Sequence, residues 1–270
     1  MSTDPATHAA NPDFVTSFAR GLSIIRALSA HQRPMSLAEV ASAAGLSRPA
    51  ARRFLITLTL LGYAEGADGR WTLTPRVLEL GYSYLSGLGL PEIARPHLER
   101  LAGDLDQSAA VAVLDELDIV YVARVASSRM MRVHIDIGTR LPAHSTSIGR
   151  VLLAALPEDE LSALLERVDL TPRTPRSIRS VSGLRKELER VRRQGYALID
   201  GELDPDIKGI SVPLHGGDGT TVAALNCSVH VRGAMDVAIR DTILPRLQST
   251  AADIEAELRI LAPRPVVAEP

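Results

Sequence analysis

The segment from Ser36 to Leu73 constrains this chain more than any other. Ser36 is a good N-cap, and Glu39 stands three residues on, the spacing of a capping box, so a short helix is expected over Leu37–Ala44. Gly45 and Leu46 follow as a tight turn, for which glycine supplies the left-handed conformation. Ser47 caps the next helix, with Pro49 in the first turn, where a missing N–H costs nothing. That helix is expected to run to Gly62, with Ala51, Phe54, Leu58 and Leu61 as one apolar stripe. Tyr63–Glu65 and Arg70–Leu73 then read as two short strands around Ala67, Asp68 and Gly69, and Asp-Gly is a strong hairpin signal. A preceding helix is expected over Ser17–Ala30, from Phe18, Leu22, Ile25 and Leu28 at helical spacing. Three helices, a glycine turn between the second and third, and a β-wing make a winged helix-turn-helix.

The charge distribution agrees with that order. From Phe14 to Gly62 the basic residues are Arg20, Arg26, Arg33, Arg48, Arg52 and Arg53, and the only acid is Glu39; six minus one leaves +5 there, against −2 for the whole chain. A basic segment in an otherwise acidic chain points to a polyanionic partner. Arg48 and Arg52 lie one turn apart and share a face, and Arg53 also stands off the apolar stripe. Arginine can take guanine bidentately or clamp phosphate. The residues expected to meet double-stranded operator DNA are Ser36, Ser47, Arg48, Pro49, Arg52 and Arg53, with Arg70 on the wing.

Pro75 opens a further helix expected to reach about Leu88. It serves as a connector over residues 76–95, between a DNA-binding domain at 14–75 and a second domain at 96–262. Its Leu78, Tyr82 and Leu85 repeat at helical spacing, and an apolar stripe on a connector implies self-association into a homodimer or tetramer. Beyond it, a helix is expected over Pro96–Asp106, and strands over Ala110–Leu114, Ile119–Val125 and Arg132–Ile137. Helices follow from Ser147 to Leu156, Pro157 to Arg167 and Leu184 to Gln194, the last stopped by Gly195. Strands at Ala197–Asp200, Gly209–Leu214 and Thr221–Val229 and a helix over Asp236–Leu258 complete the pattern. Paired strands interrupted by helices indicate an α+β domain with an antiparallel sheet. Residues 1–13 and 263–270 read as disordered tails.

Several classes are excluded or disfavoured. Cys227 is the single cysteine, which excludes an intramolecular disulfide framework and multi-cysteine zinc sites. Residues 1–13 lack the basic start and apolar core of a signal peptide, and no apolar run approaches the ~18 residues of a membrane span. The expected location is the cytoplasm, with no membrane partner, no metal and no cofactor. An enzyme is the main rival class, because Ser145 and Ser147 stand near His144; yet there is no Gly-x-Ser-x-Gly elbow, no His-x-x-x-His pair and no phosphate loop of the usual spacing. An architectural DNA binder has no need of so large a second domain.

In that second domain one segment has the makings of an anion pocket. Residues His144 to Gly149 lead into a helix, so free N–H groups and hydroxyls gather at a positive helix end. On the strand Thr221–Val229, alternation puts Val222, Ala224, Asn226 and Ser228 on one face. Asn226 and Ser228 are polar in an apolar strand, which costs free energy unless something hydrogen-bonds them. A competing reading is that these groups cap the helix and bond each other. Arg124, taken to share a face with Val120 and Val122, could meet a carboxylate, whereas His134, His215 and Cys227 fit a sheet face, a turn and the core. Apolar contact area for a ring is expected from Val111, Val113, Val120, Val122 and Val222.

Specific runs carry a family likeness. Phe18 to Leu22, Ala50 to Leu55, Leu61 to Tyr63, Leu73 to Leu78, Leu80 to Tyr82, Ile119 to Val125, Gly138 to Pro142, Ser147 to Ala154 and Gln194 to Leu198 together resemble the IclR family of regulators, and most of all its PcaR/PcaU/PobR branch. The likeness covers roughly Phe14 to Leu261. It implies a winged helix-turn-helix, a linker helix that helps dimerise, and an effector domain around a curved antiparallel sheet flanked by helices. It further implies effectors that are small aromatic acids or their catabolites, such as protocatechuate, 4-hydroxybenzoate or β-ketoadipate, and targets that are aromatic-degradation genes. Effector contacts carry over onto Thr146, Ser147, Ile148, Asn226 and Ser228, with Asp200 and Gly209 as further candidates.

Overall fold

A computed structural model describes residues 11–31, 33–80, 89–127, 135–230 and 238–261. The chain divides into two compact units, residues 1–84 and 85–270.

In the first unit, α1 (Thr16–Ser29), α2 (Leu37–Ala43) and α3 (Arg48–Leu60) pack around Ile24, Leu28, Val40, Ala41, Ala51 and Leu55. Both expected caps are formed. Ser36 accepts from the Glu39 N–H while the Glu39 carboxylate accepts from the Ser36 N–H at 2.8 Å, and Ser47 accepts from the Ala50 N–H. Gly45, at φ +65°, turns the chain between α2 and α3. The strands β2 (Ala64–Ala67) and β3 (Arg70–Leu73) form the wing. Asp68 and Gly69 both adopt positive φ between the paired Ala67 and Arg70, the two-residue turn whose twist suits a hairpin. One strand was not anticipated: β1 (Met35–Ser36) pairs with β3 and closes a three-stranded sheet. Pro75–Leu78 is a 3-10 turn at the start of the expected connector, and its Tyr82 and Leu85 lie outside the described residues.

The second unit is an α+β fold on a six-stranded antiparallel sheet ordered β6-β5-β4-β9-β8-β7. Its strands are β4 (Ser108–Asp115), β5 (Asp118–Val125), β6 (Arg140–Pro142), β7 (Ala197–Asp200), β8 (Ile207–His215) and β9 (Thr221–His230). On one face lie α4 (Leu90–Leu105) and the last helix, α8 (Leu244–Leu261), which follows a π-helical turn at Ile239–Ile243. On the other lie α5 (Ser147–Ala155), α6 (Glu158–Leu165) and α7 (Val181–Gln194). Leu98, Leu247 and Ile254 are fully buried on the first face, each worth about 1.5–3 kcal/mol by apolar burial.

Three expectations are corrected here. The helix expected at Pro96 begins at Leu90: Gly89 adopts a left-handed conformation as N-cap, Pro91 takes the first turn, and Pro96 sits inside the helix. The strand expected at Arg132–Ile137 falls partly outside the described residues; its described part, Ile135–Ile137, leads into a turn in which Thr139 N–H bonds Asp136 O at 3.0 Å, and Arg140–Pro142 pairs with β5 instead. A register shift between Val111 and Ala112 sets Ala112 against Tyr121 and Val111 against Ala123. By ordinary alternation Val111, Val113 and Val122 pack on the other face, in the core beneath α4 and α8. Arg124, cross-strand from Ala110, shares the α5 face with Tyr121 rather than the face of Val120 and Val122.

Candidate functional site

In the first unit, Ser47, Arg48, Pro49, Arg52 and Arg53 are all exposed at the start of α3 and along one side of it. Among the described residues the three arginine guanidinium groups have no ion pair or side-chain hydrogen bond, so nothing within the unit neutralises them. Arg33 and Arg70, by contrast, are held. Arg33 pairs with Glu39 at 2.7 Å, and that contact with the Ser36 N–H draws the Glu39 carboxyl down to about 2. Arg70 donates to Pro34 O at 3.2 Å, which fixes the root of the wing. Ser36 is half-buried in its capping box, so its first role is structural. The result is a helix N-terminus carrying free cations beside a wing, the layout that docks a helix in a major groove.

In the second unit a cavity of about 540 Å³, counting its open mouth, lies between the sheet and the N-terminus of α5. Thr146, Ser147, Ile148, Gly209, Asn226 and Ser228, named from sequence, all line it. Thr146 is the N-cap, its oxygen accepting from Gly149 N–H at 3.0 Å. The N–H groups of Ser147 and Ile148, in the first turn, have no partner among the described residues, as expected for a helix start. The Ser147 oxygen accepts from Ser211 Oγ at 2.8 Å and from Asn226 Nδ2 at 3.1 Å. Both its lone pairs are thereby occupied, and its own O–H remains as a donor. Asn226 Nδ2 also lies within 3.3 Å of Ile210 O, Ser211 Oγ and Cys227 O, so its two hydrogens are fully engaged. Ser228 donates to Asn226 Oδ1 at 2.9 Å. Ser147, Asn226 and Ser228 thus bond one another while lining the cavity.

Gly209 explains how close the helix comes. A Cβ there would lie 2.8 Å from Ser147 Oγ, so only glycine lets β8 pass beneath the helix start. Gly149 plays the same part behind it, since a Cβ would lie 2.2 Å from Ala143 O.

A buried cation underpins the cavity. Arg150, 2% exposed on α5, donates to Glu202 at 2.6 Å and to His144 O at 3.1 Å, and lies 3.6 Å from Glu187. Ser177 Oγ and the Ile178 N–H hold Glu202 from the other side. The segment after β7, which brings Leu203, Asp204 and Ile207 to the cavity wall, is clamped to α5 by this network. Burial, with Arg150 and Arg173 nearby, holds the His144 imidazole below its usual range.

Sequence reasoning misplaced some residues and missed others. Asp200 does not line the cavity; its carboxylate is held by Arg176 at 2.5 Å and Lys208 at 3.2 Å, because alternation along β7 turns it away from Ile199, which does line it. Arg124 is half-buried on the correct face but is not among the lining residues. Tyr121, Leu141, Ile199 and Ile207, with Leu203 and Asp204, form the apolar and acidic walls in place of the valines. The Ser147 hydroxyl bonds Ser211 and Asn226, and Ser145 donates to Pro142 O, so neither serine is paired with a histidine as a nucleophile needs. Among the described residues no cluster of three or more His, Cys, Asp or Glu could hold a metal, and no helix is long and apolar enough to cross a membrane.

Comparison with known proteins places these features. The family model of the IclR helix-turn-helix domain matches residues 17–68, and that of the bacterial transcriptional regulator IclR C-terminal domain matches 82–256. The chain is 39% identical over 246 residues to the Pca regulon regulatory protein of Pseudomonas putida, covering 90% of this chain and 84% of that one. It is 33% identical to the p-hydroxybenzoate hydroxylase transcriptional activator of Acinetobacter baylyi, covering 90% and 91%. The crystal structure of an IclR homolog from Microbacterium hydrocarbonoxydans complexed with 4-hydroxybenzoate superposes with a TM-score of 0.81 at 25% identity, covering 90% and 99%.

Proposed function

The chain belongs to the IclR family of bacterial transcriptional regulators, and on that premise we propose that it binds operator DNA through α3 and the wing and responds to a small aromatic monocarboxylic acid held at the N-terminus of α5. The targets on this reading are genes of aromatic-compound catabolism, as the names of its relatives suggest.

One observation carries the ligand class. Two unpartnered N–H groups and the O–H of Ser147 converge on the cavity at a positive helix end, which is a carboxylate receptor. The walls beside it are apolar and include a tyrosine ring, suited to a flat hydrophobic body. Asp204 on the wall narrows the choice further. A second carboxylate in the ligand would meet like charge there, so hydroxylated benzoates such as 4-hydroxybenzoate or protocatechuate fit better than the dicarboxylate β-ketoadipate.

The test is a thermal-shift series with 4-hydroxybenzoate, protocatechuate, β-ketoadipate and short aliphatic acids, followed by fluorescence anisotropy on the DNA flanking the gene. The expected result is stabilisation by the hydroxybenzoates and a change in DNA affinity in their presence. Stabilisation by short aliphatic acids alone would assign the chain to another small-acid pathway.

A further inference from the structure

We infer that the Tyr121 hydroxyl is a specificity-determining contact, which hydrogen-bonds an oxygen substituent on the part of the effector remote from its carboxylate. The inference rests on the functional reading above and adds the residue that tells a hydroxylated ring from a bare one.

Tyr121 sits on β5 with its backbone fixed on both sides: its N–H donates to Thr139 O at 3.1 Å, and its carbonyl accepts from Gly138 N–H at 2.8 Å. The register shift at Val111/Ala112 places it cross-strand from Ala112, which is in turn paired with Ala224 on β9. Two alanines on that row leave open space above the sheet, and the tyrosine lines it. The residue is only 6% exposed. Among the described residues its hydroxyl has no hydrogen-bond partner, whereas the Ser145, Thr146 and Ser228 hydroxyls and the Asn226 carboxamide that share the cavity wall are engaged. Buried hydroxyls are ordinarily satisfied, and one that is not, facing a cavity, marks a place for a ligand atom. Phenylalanine would fill the same space with no polar atom to satisfy.

The position is complementary to the carboxylate receptor. Ser147 bonds to β8 and β9 through Ser211 and Asn226, whereas Tyr121 stands on β5, with β4 between β5 and β9. At about 4.8 Å per strand, β5 and β9 run roughly 10 Å apart. A ring whose carboxylate is fixed at Ser147 extends from there along the apolar wall, and Tyr121 offers the next polar contact in the direction of β5. Burial pushes the phenol up to about 12, so it stays protonated at neutral pH and retains a hydrogen to donate. Arg124, on the same face of β5, acts on it in the opposite sense and does not overcome burial.

The test is isothermal calorimetry of the full-length wild type and Tyr121→Phe with benzoate, 3-hydroxybenzoate and 4-hydroxybenzoate. Wild type is expected to bind one hydroxybenzoate more tightly than benzoate. In Tyr121→Phe that preference should fall by about five- to tenfold, as for one hydrogen bond, while benzoate affinity stays within about twofold. Equal loss for all three ligands would reveal a packing role and overturn the inference, as would an unchanged preference. The wild-type series stands by itself should the variant fold poorly: benzoate binding as tightly as both hydroxybenzoates overturns the inference. Wild type that binds none of the three removes the aromatic-acid reading itself, a failure distinct from binding without discrimination.

Discussion

The Asn226 carboxamide donates to the Ser147 hydroxyl oxygen at 3.1 Å, joining β9 to the first residue of α5 across 79 positions of sequence. On the proposed reading, this bond makes the helix start a receptor. By occupying a Ser147 lone pair together with Ser211, it leaves the Ser147 hydrogen to a ligand.

Asn226→Ala is accordingly expected to act first on stability. It removes the partners of Ser147, Ser211, Ile210 O and Ser228 from a buried site. Leaving such groups unsatisfied costs about 1–3 kcal/mol, and chemical denaturation should show the loss without ligand present. Wild-type stability in this variant would mean that water replaces the carboxamide at no cost.

Arg150→Met should be more severe. The guanidinium is buried, and its removal strands Glu202, 11% exposed at the side chain, whereas Glu187 keeps its pair with Arg190 at 2.7 Å. Breaking a buried pair from one side costs about 3–5 kcal/mol, read as a lowered denaturation midpoint of the second unit. The double variant Arg150→Met with Glu202→Gln should recover part of that, because the stranded charge is gone. No recovery would show that Arg150 matters for packing alone.

The residues proposed to read DNA lie in the other unit. Arg48→Ala and Arg52→Ala should each weaken specific operator binding by about 1–3 kcal/mol while leaving thermal stability and ligand binding unchanged. Anisotropy titrations at two salt concentrations would check this. Unchanged operator affinity in both variants would remove the first turns of α3 from the reading surface.

How much of this was legible in the sequence follows from the range of the forces involved. The helix-turn-helix and wing were legible because their signals are local: Ser36 with Glu39, Ser47 with Pro49, and Asp68 with Gly69 each fix backbone geometry within four residues. The α5 start and the polar face of β9 were legible for the same reason, from an N-cap and from alternation. The bulge at Val111/Ala112 was not. A one-residue shift reverses which side chains face which layer, and it moved Arg124 off the face of Val120 and Val122. The buried role of Arg150 has no local signal, since its partner Glu202 lies 52 positions away. Tyr121 was read only as part of an apolar strand, and its cavity-facing hydroxyl emerges only once the sheet is assembled. Asp200 failed by parity: its neighbour Ile199 faces the cavity.

The central claim, that the N-terminus of α5 receives a carboxylate, is tested most directly by calorimetry of 4-hydroxybenzoate binding to wild type and Ser147→Ala. Loss of the free O–H should weaken binding by about 1.5–3 kcal/mol, roughly ten- to a hundredfold, as for a hydrogen bond to a charged group. Operator affinity without ligand should stay unchanged. Equal affinity of the two proteins for the acid would contradict the claim and place the effector elsewhere.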